Sequence, residues 1–303
     1  MSFANLKKNQ GLSGIKNLQD ELEKLNKTNN SSDDRYWKLS MDKSGVGAAV
    51  IRFLPESEGD TTPWVTLYEH AFQGPGGWYI EKSRTTINEK DPVGEYNSEL
   101  WNSGIDANKE IARKQKRNVR YVSNILVVKD PANPENEGKV FLFKYGKKIF
   151  QKVKEAMFPE NDPVDQKDPM NPFCPWSGAN FKLKCRKVDG YPNYDHSEFS
   201  PTESLYNGDD AQIEALWKTQ HKLSELISPS EFKSYDDLKA RLDRVLGMKS
   251  TIKKAEVNSE VSSARESLSE SATISTNALS SPSFSDDDIS DDLDYLQALA
   301  NEE

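Results

Sequence analysis

The chain has 303 residues and a formal net charge of −9, and only 35% of its residues are hydrophobic. That is too little for a core running the whole length; one folded region of roughly 200 residues with polar appendages fits as well as two domains. No run approaches the ~18 apolar residues of a membrane helix. The first residues also lack the layout of a secretory signal. Two cysteines, Cys174 and Cys185, are too few for a disulfide framework and wrongly spaced for a metal knuckle, so a reduced intracellular setting is expected.

Residues 1–33 read as an arm. Lys7-Lys8 precedes Gly11 and Gly14, and then Ile15, Leu18, Leu22 and Leu25 recur at spacings of three and four, which gives one apolar stripe on a short helix. Such a stripe needs a cover, either the protein's own core or a neighbouring copy. Residues 26–34 are polar and read as a linker.

From Tyr36 the pattern is that of antiparallel strands. Residues 36–41, 48–54 (stopped by Pro55), 64–72 and 77–81 are separated by Gly and Pro turns, among them Gly74-Pro-Gly-Gly77. Residues 83–108 carry no clean period and are expected to be an insertion between strands.

The most telling stretch runs from Lys109 to Lys154. It holds thirteen Lys or Arg against four Asp or Glu, so charge is segregated along an acidic chain. Lys116, Arg117 and Arg120 lead into a strand from Tyr121 to Val128, which turns at Asp130-Pro131 and Asn133-Pro134 and returns to Lys147-Lys148. On the returning strand Phe141, Phe143 and Tyr145 share one face, and Val140, Leu142 and Lys144 the other. If the core takes Ile125, Val127, Val140 and Leu142, an aromatic face looks into a basic rim, as in a groove for single-stranded nucleic acid. In the other reading the aromatics are core and the lysines ordinary surface.

Residues 147–157 predict a short helix, and the four prolines between 161 and 175 predict a loop. Residues 181–188 alternate Phe181, Leu183 and Cys185 with Lys182, Lys184 and Arg186, which predicts a strand with one basic face. Tyr191 and Tyr194 follow as either stacking platforms or caps on a core. Residues 209–247 read as helices that brace a β core, with the stripe Ile213, Leu216, Trp217, Leu223, Leu226 and Ile227, a capping pair Ser234/Asp237 and a stop at Gly247.

From Thr251 onward the composition is that of disorder. Residues 255–303 hold twelve acidic residues against Arg265 alone, net −11, which leaves +2 for the remainder of a chain of −9. Ile289, Leu293, Leu296 and Leu299 inside that block suggest a partner-docking peptide. The tail could also lie over the basic groove until nucleic acid displaces it.

No phosphate-cradling glycine pattern is present. His70, His196 and His221 have no nucleophile at a diagnostic spacing, and the acidic clusters lie mostly in the tail, where two-metal geometry could not be held. An enzyme is not expected. Mg²⁺-dependent loss of a labelled oligomer would reveal a nuclease, and a DNA against RNA competition would reveal an RNA-binding regulator.

Residues 49–55 (Ala-Val-Ile-Arg-Phe-Leu-Pro), 124–131 (Asn-Ile-Leu-Val-Val-Lys-Asp-Pro), 134–140, Gly146-Lys-Lys-Ile149, Cys174-Pro-Trp and Gly178-Ala-Asn-Phe181 closely resemble the single-stranded-DNA-binding, helix-destabilising proteins of T-even-type bacteriophages. The resemblance covers roughly residues 35–200, and the tail by character. It implies an α+β protein with an OB-fold β-barrel core at 34–250, including the 83–108 insertion. An arm at 1–33 would drive cooperative self-association through Lys7 and Lys8. The acidic tail at 251–303 would recruit replication, recombination and repair proteins such as polymerase, helicase loader, primase-helicase and recombination mediator. The setting would be the cytoplasm of an infected bacterial host.

Carried over by position, Tyr121, Phe143, Tyr191 and Tyr194 match cleft aromatics and Lys116, Arg117, Lys147 and Lys148 the basic rim. Arg120 and Tyr145 join them from the residue reading above. Two departures stand out. The family holds a zinc ion through one His and three Cys; His70 matches the His, but the cysteine positions fall near Ser83, Asp91 and Gly94. A lone His cannot hold structural zinc, so no cofactor is expected and packing should stabilise 83–108. In the arm, Lys7-Lys8 lacks the Ser-Thr that follows in the family.

Overall fold

The computed structural model describes residues 33–160 and 168–248. Lys7, Lys8, the stripe of the arm, the acidic tail and residues 161–167 of the proline-rich loop lie outside the described residues. In chain order the elements are β1 (Tyr36–Trp37), β2 (Gly47–Phe53), β3 (Val65–Gly74), β4 (Gly77–Lys82), α1 (Pro92–Asn102), α2 (Asp106–Lys114), β5 (Asn118–Lys129), β6 (Val140–Tyr145), α3 (Lys147–Met157), β7 (Ala179–Val188), β8 (Tyr191–Asn193), β9 (Glu198–Thr202), α4 (Asp210–Trp217) and α5 (Tyr235–Leu246). This is a mixed α+β protein with a large sheet. It divides into two compact units, one built from the chain up to Leu67 with Val119–Glu231, the other from Tyr68–Asn118 with the chain from Phe232.

In the first unit β2 lies between β5 and β7, β6 pairs with the other side of β5, and β1 runs parallel to β6. Strand β7 carries β9 and β8 as further antiparallel partners. Its alternation is as the sequence predicts: Phe181, Leu183 and Cys185 are buried and Lys182, Lys184 and Arg186 exposed. The hairpin to β8 turns through Asp189 at φ 51° and Gly190 at φ 88°, the left-handed pair of a tight hairpin turn.

The centre of this unit is aromatic. Phe53 is fully buried, with the rings of Tyr145, Phe173 and Phe181 5.6–5.8 Å from its own. On the opposite face Val122 and Leu142 pack with Val65, Leu67, Leu223 and Leu226. Both faces of the β5–β6 pair are therefore covered, and strands of that kind are apolar on both sides. This settles the fork for two aromatics: Phe143 and Tyr145 are 6% and 3% exposed and belong to the core, as the second reading held. They are not open stacking surfaces.

The helical reading of 209–247 holds at its ends and fails between them. Helix α4 stops at Trp217, and Leu223–Ile227 and Pro229–Glu231 are 3-10 turns. Polar side chains of the same unit take the backbone N–H groups there: Asn124 accepts from His221 N at 2.9 Å, and Asp60 from Leu223 N at 2.7 Å and Ser224 N at 3.1 Å.

In the second unit the outer part of β3 pairs with β4 from Glu69↔Lys82 to Gly74↔Gly77. A Cβ on Gly76 would lie 2.1 Å from the Arg244 carbonyl, so only glycine lets the hairpin turn meet the end of α5. The 83–108 insertion is mostly helical. Its period escaped the sequence because α1 buries Pro92 and Val93 but also Asn97 and Ser98. Phe72 and Tyr79 stack at 5.0 Å and pack with Val93, Leu238, Leu242 and Val245. Ser234 caps α5 by accepting from Asp237 N, and Gly247 ends it at φ 69°, as predicted.

Candidate nucleic-acid interface

In the first unit, the register Tyr121↔Tyr145 sets Tyr121 beside the start of α3. Its ring stacks on Phe150 with centroids 3.7 Å apart and planes 10° apart, and lies 5.9 Å from Tyr145. Trp64 packs edge-on against Phe150 at 5.5 Å. Tyr121, Phe150 and Trp64 are each half-buried, so the rings are held from below with area left toward solvent. Phe143 and Tyr145 support this platform from within.

Positive charge surrounds it. Exposed Arg120 reaches over Gly146, where an added Cβ would meet its Nη1 at 3.1 Å. Gly146 precedes α3, whose first turn carries Lys147 and Lys148, no acidic residue and no side-chain cap. A helix start already bears partial positive charge, and two lysines there are unfavourable for the helix alone but suit an anion such as a phosphate. Lys148 Nζ lies 3.3 Å from Asp195 Oδ1, and Lys152 Nζ donates to the Asp195 carbonyl at 3.0 Å; an exposed pair of this kind is weak and open to exchange.

Tyr194 is half-buried and packs against the aromatic core. Burial, with Cys185 beside it, pushes its phenol up to about 12. Burial likewise raises the phenol of Tyr145, against the hydrogen bond from Ser123. Both rings stay neutral at working pH and present no anion to a phosphate. Tyr191 stands apart on the β7–β8 hairpin, exposed, opposite Val188.

Lys116 and Arg117 belong to the second unit. The Arg117 guanidinium sits 4.3 Å over the ring of Tyr68. Further back, Lys109 and Arg113 lie 5.6 and 5.4 Å from the Trp101 ring. Cation and ring hold each other here.

The structure thus brings Arg120, Tyr121, Lys147 and Lys148 together, with Tyr194 near, and leaves Tyr191 separate. Sequence reasoning missed Phe150 and Trp64. The signal for Phe150 was available: three residues after Lys147 on a predicted helix, it shares that lysine's face. Trp64 had none, because only the fold carries it to Phe150.

The position that the resemblance implies for zinc lies in the second unit. His70 and Asp91 are 1% and 3% exposed, with Nε2 and Oδ1 3.2 Å apart. His70 Nδ1 lies 3.0 Å from the Gln115 carbonyl. Asp91 Oδ1 accepts from Val93 N and Gly94 N, and Oδ2 from Arg84 N. Burial alone would raise that carboxyl, but His70 and these N–H groups hold it down at about 2. Ser83 Oγ pairs with Thr85 Oγ1 at 3.0 Å. Every ligand-capable atom of His70 and Asp91 already has a partner, and no cluster of three His, Cys, Asp or Glu able to hold a metal occurs among the described residues. This donor set does not fit structural zinc.

Residues 45–246 match the family model described as gp32 DNA binding protein like. The chain is 41% identical over 237 residues to a single-stranded DNA-binding protein of Enterobacteria phage T4, covering 76% of this chain and 77% of that protein. It is 42% identical over 228 residues to the protein so named from Enterobacteria phage T2, covering 73% and 74%. With two thirds of its length inside the family model, and with the strand, turn and basic helix start that build the platform all inside that match, the chain belongs to the gp32-like DNA-binding protein family.

Proposed function

We propose that this chain is a sequence-tolerant single-stranded DNA-binding protein of a T4-type phage. The observation that carries the reading is the half-exposed Tyr121–Phe150 stack beside Arg120 and the lysine-bearing start of α3. Stacking uses the face that every base has. Lys and Arg neutralise phosphates and release counterions without reading base edges. The relatives' names support the same reading.

Titration of intrinsic fluorescence with oligo-dT, and with duplex and RNA of equal length, at two salt concentrations tests it. Strong quenching by oligo-dT, weak response to duplex and affinity that falls with salt are expected. Equal response to single strand and duplex would overturn it.

We further propose that the first unit's β sheet is an OB-fold barrel; the placing of β2 between β5 and β7 and the parallel pairing of β1 with β6 support this. The second unit would hold its shape without zinc, through the His70–Asp91 network. Coating and protection of DNA during replication, recombination and repair, cooperative contacts by the arm, recruitment of replication proteins by the acidic tail and a setting in the infected host's cytoplasm complete the reading. The described residues include no helix long and apolar enough to cross a membrane.

A further inference from the structure

In the first unit two lysines of α3 meet a carboxylate of the same unit. Lys148 and Lys152 stand one helical turn apart and so share a helix face, and both reach the turn between β8 and β9. Lys148 Nζ lies 3.3 Å from Asp195 Oδ1, and Lys152 Nζ donates to the Asp195 carbonyl at 3.0 Å. Surface pairs of long side chains often form with little gain. This one differs, because the carboxylate is fixed by groups other than the lysines. Tyr194, just before it, packs against the aromatic core. Ser197, just after it and 2% exposed, is bonded to β7 in both senses: its Oγ accepts from Lys184 N and donates to the Lys184 carbonyl, each at 3.0 Å. Between these tethers Asn193 holds Asp195 twice. Its amide nitrogen donates to Oδ2 at 2.6 Å, and its amide oxygen accepts from Asp195 N at 3.0 Å. The Asn193 bond, and after it Lys148, keep this carboxyl below the usual carboxylate range, so it is an anion at working pH.

A carboxylate oxygen offers a lysine what a phosphate oxygen offers, a negatively charged acceptor. Asp195 makes that offer at the lysine-bearing start of α3, where the DNA-binding reading puts a phosphate. The carboxylate is pinned and the lysine stem is flexible, so the lysine is the part that can move. A phosphate that draws on Lys148 must pull its Nζ away from Asp195, or else sit beside a like charge. We propose that Asp195 is a built-in stand-in for phosphate: it holds Lys148 in the free protein, and binding of a single strand exchanges it for a phosphate of the nucleic acid. Asp195 thereby sets how tightly the platform holds its strand, without itself touching a base. The proposal rests on the DNA-binding reading and names a residue that tunes that same site.

The test uses the full chain and a short dT oligomer, with affinity read at low and at high salt. Asp195→Asn keeps the shape of the side chain and an acceptor for Asn193 but removes the charge. It is expected to raise affinity about threefold at low salt, the scale of one exposed ion pair given up, and the gain should shrink at high salt, where the native pair is already screened. Asp189→Asn removes an equal charge from the neighbouring β7–β8 turn, at a φ of 51° that asparagine adopts readily, and is expected to give a clearly smaller gain. In a Lys148→Ala background, Asp195→Asn should give no more than Asp189→Asn does. Should the Asn variant lose stability in chemical denaturation, Asp195→Ser removes the same charge and repeats the comparison. Equal gains from Asp195→Asn and Asp189→Asn, or a gain that survives Lys148→Ala undiminished, overturn the proposal by making the effect one of net charge. Unchanged or weakened binding in a folded Asp195 variant overturns it too, because the carboxylate would then not compete for Lys148. Failure of the native chain to bind the oligomer would instead defeat the DNA-binding reading.

Discussion

The two units solve the same problem with opposite chemistry. The first is held by rings: Phe53, Tyr145, Phe173 and Phe181 meet edge-on or tilted in a buried centre. The second places a polar network at its heart, with His70, Asp91, Asn97 and Gln115 all buried. Cations differ likewise. Lys147 and Lys148 stand at a bare helix start, whereas Lys109, Arg113 and Arg117 lie over rings of their own unit. Basic residues therefore stand in two settings, at an uncapped helix start in the first unit and against rings in the second. Composition alone cannot tell them apart.

The sharpest way to break the comparison is to damage each centre in turn. Phe53→Ala removes a fully buried ring from the first unit and is expected to cost about 4 kcal/mol, read by chemical denaturation. Asp91→Ala should cost somewhat less, about 3 kcal/mol, because it strands a buried His70 and uncaps α1. That loss should appear in probes of the second unit, such as the fluorescence of Trp101. If Asp91→Ala were neutral, the polar network would not be what holds this unit.

A metal test sharpens the same contrast. Chelator-washed protein is expected to contain no stoichiometric zinc and to melt at the temperature of untreated protein, since both atoms of the His70–Asp91 contact are already committed. Stoichiometric zinc, or a melting point that drops with chelator, would mean that a metal and not the His70–Asp91 network holds the second unit.

Much of the first unit was legible because its signals are local. The alternation of Phe181 to Cys185 with three basic residues gives β7 and its faces; in the second unit the equally local Ser234/Asp237 pair and Gly247 bound α5. The fate of Phe143 and Tyr145 was not, because alternation says that two faces differ but not that both are covered. The break after Trp217 was equally hidden: Asn124 and Asp60, which take those N–H groups, are 97 and 163 residues away from His221 and Leu223. Of the candidate site, Arg120, Tyr121, Lys147 and Lys148 were visible, but the placing of Lys116 and Arg117 in the second unit was not. The site's second ring, Phe150, was visible only as a helix residue.

Within the platform, Tyr121→Ala is expected to weaken oligo-dT binding by about 1–3 kcal/mol, the worth of one stacked base. Tyr145→Phe, which keeps the ring and removes only a hydroxyl bonded to Ser123, should leave binding nearly unchanged. Equal losses in both would mean that the buried aromatics act on DNA only through the stability of the unit. The smallest effect separates the two settings. Lys148→Ala should lower the slope of log affinity against log salt by about 0.7, the value for one phosphate of a single strand that is no longer neutralised. Arg113→Ala, whose guanidinium is engaged with Trp101 and Glu110, should leave that slope alone while loosening the second unit. If the two substitutions flatten the slope equally, the ring-bound cations of the second unit also touch phosphate, and the division of labour between the units fails.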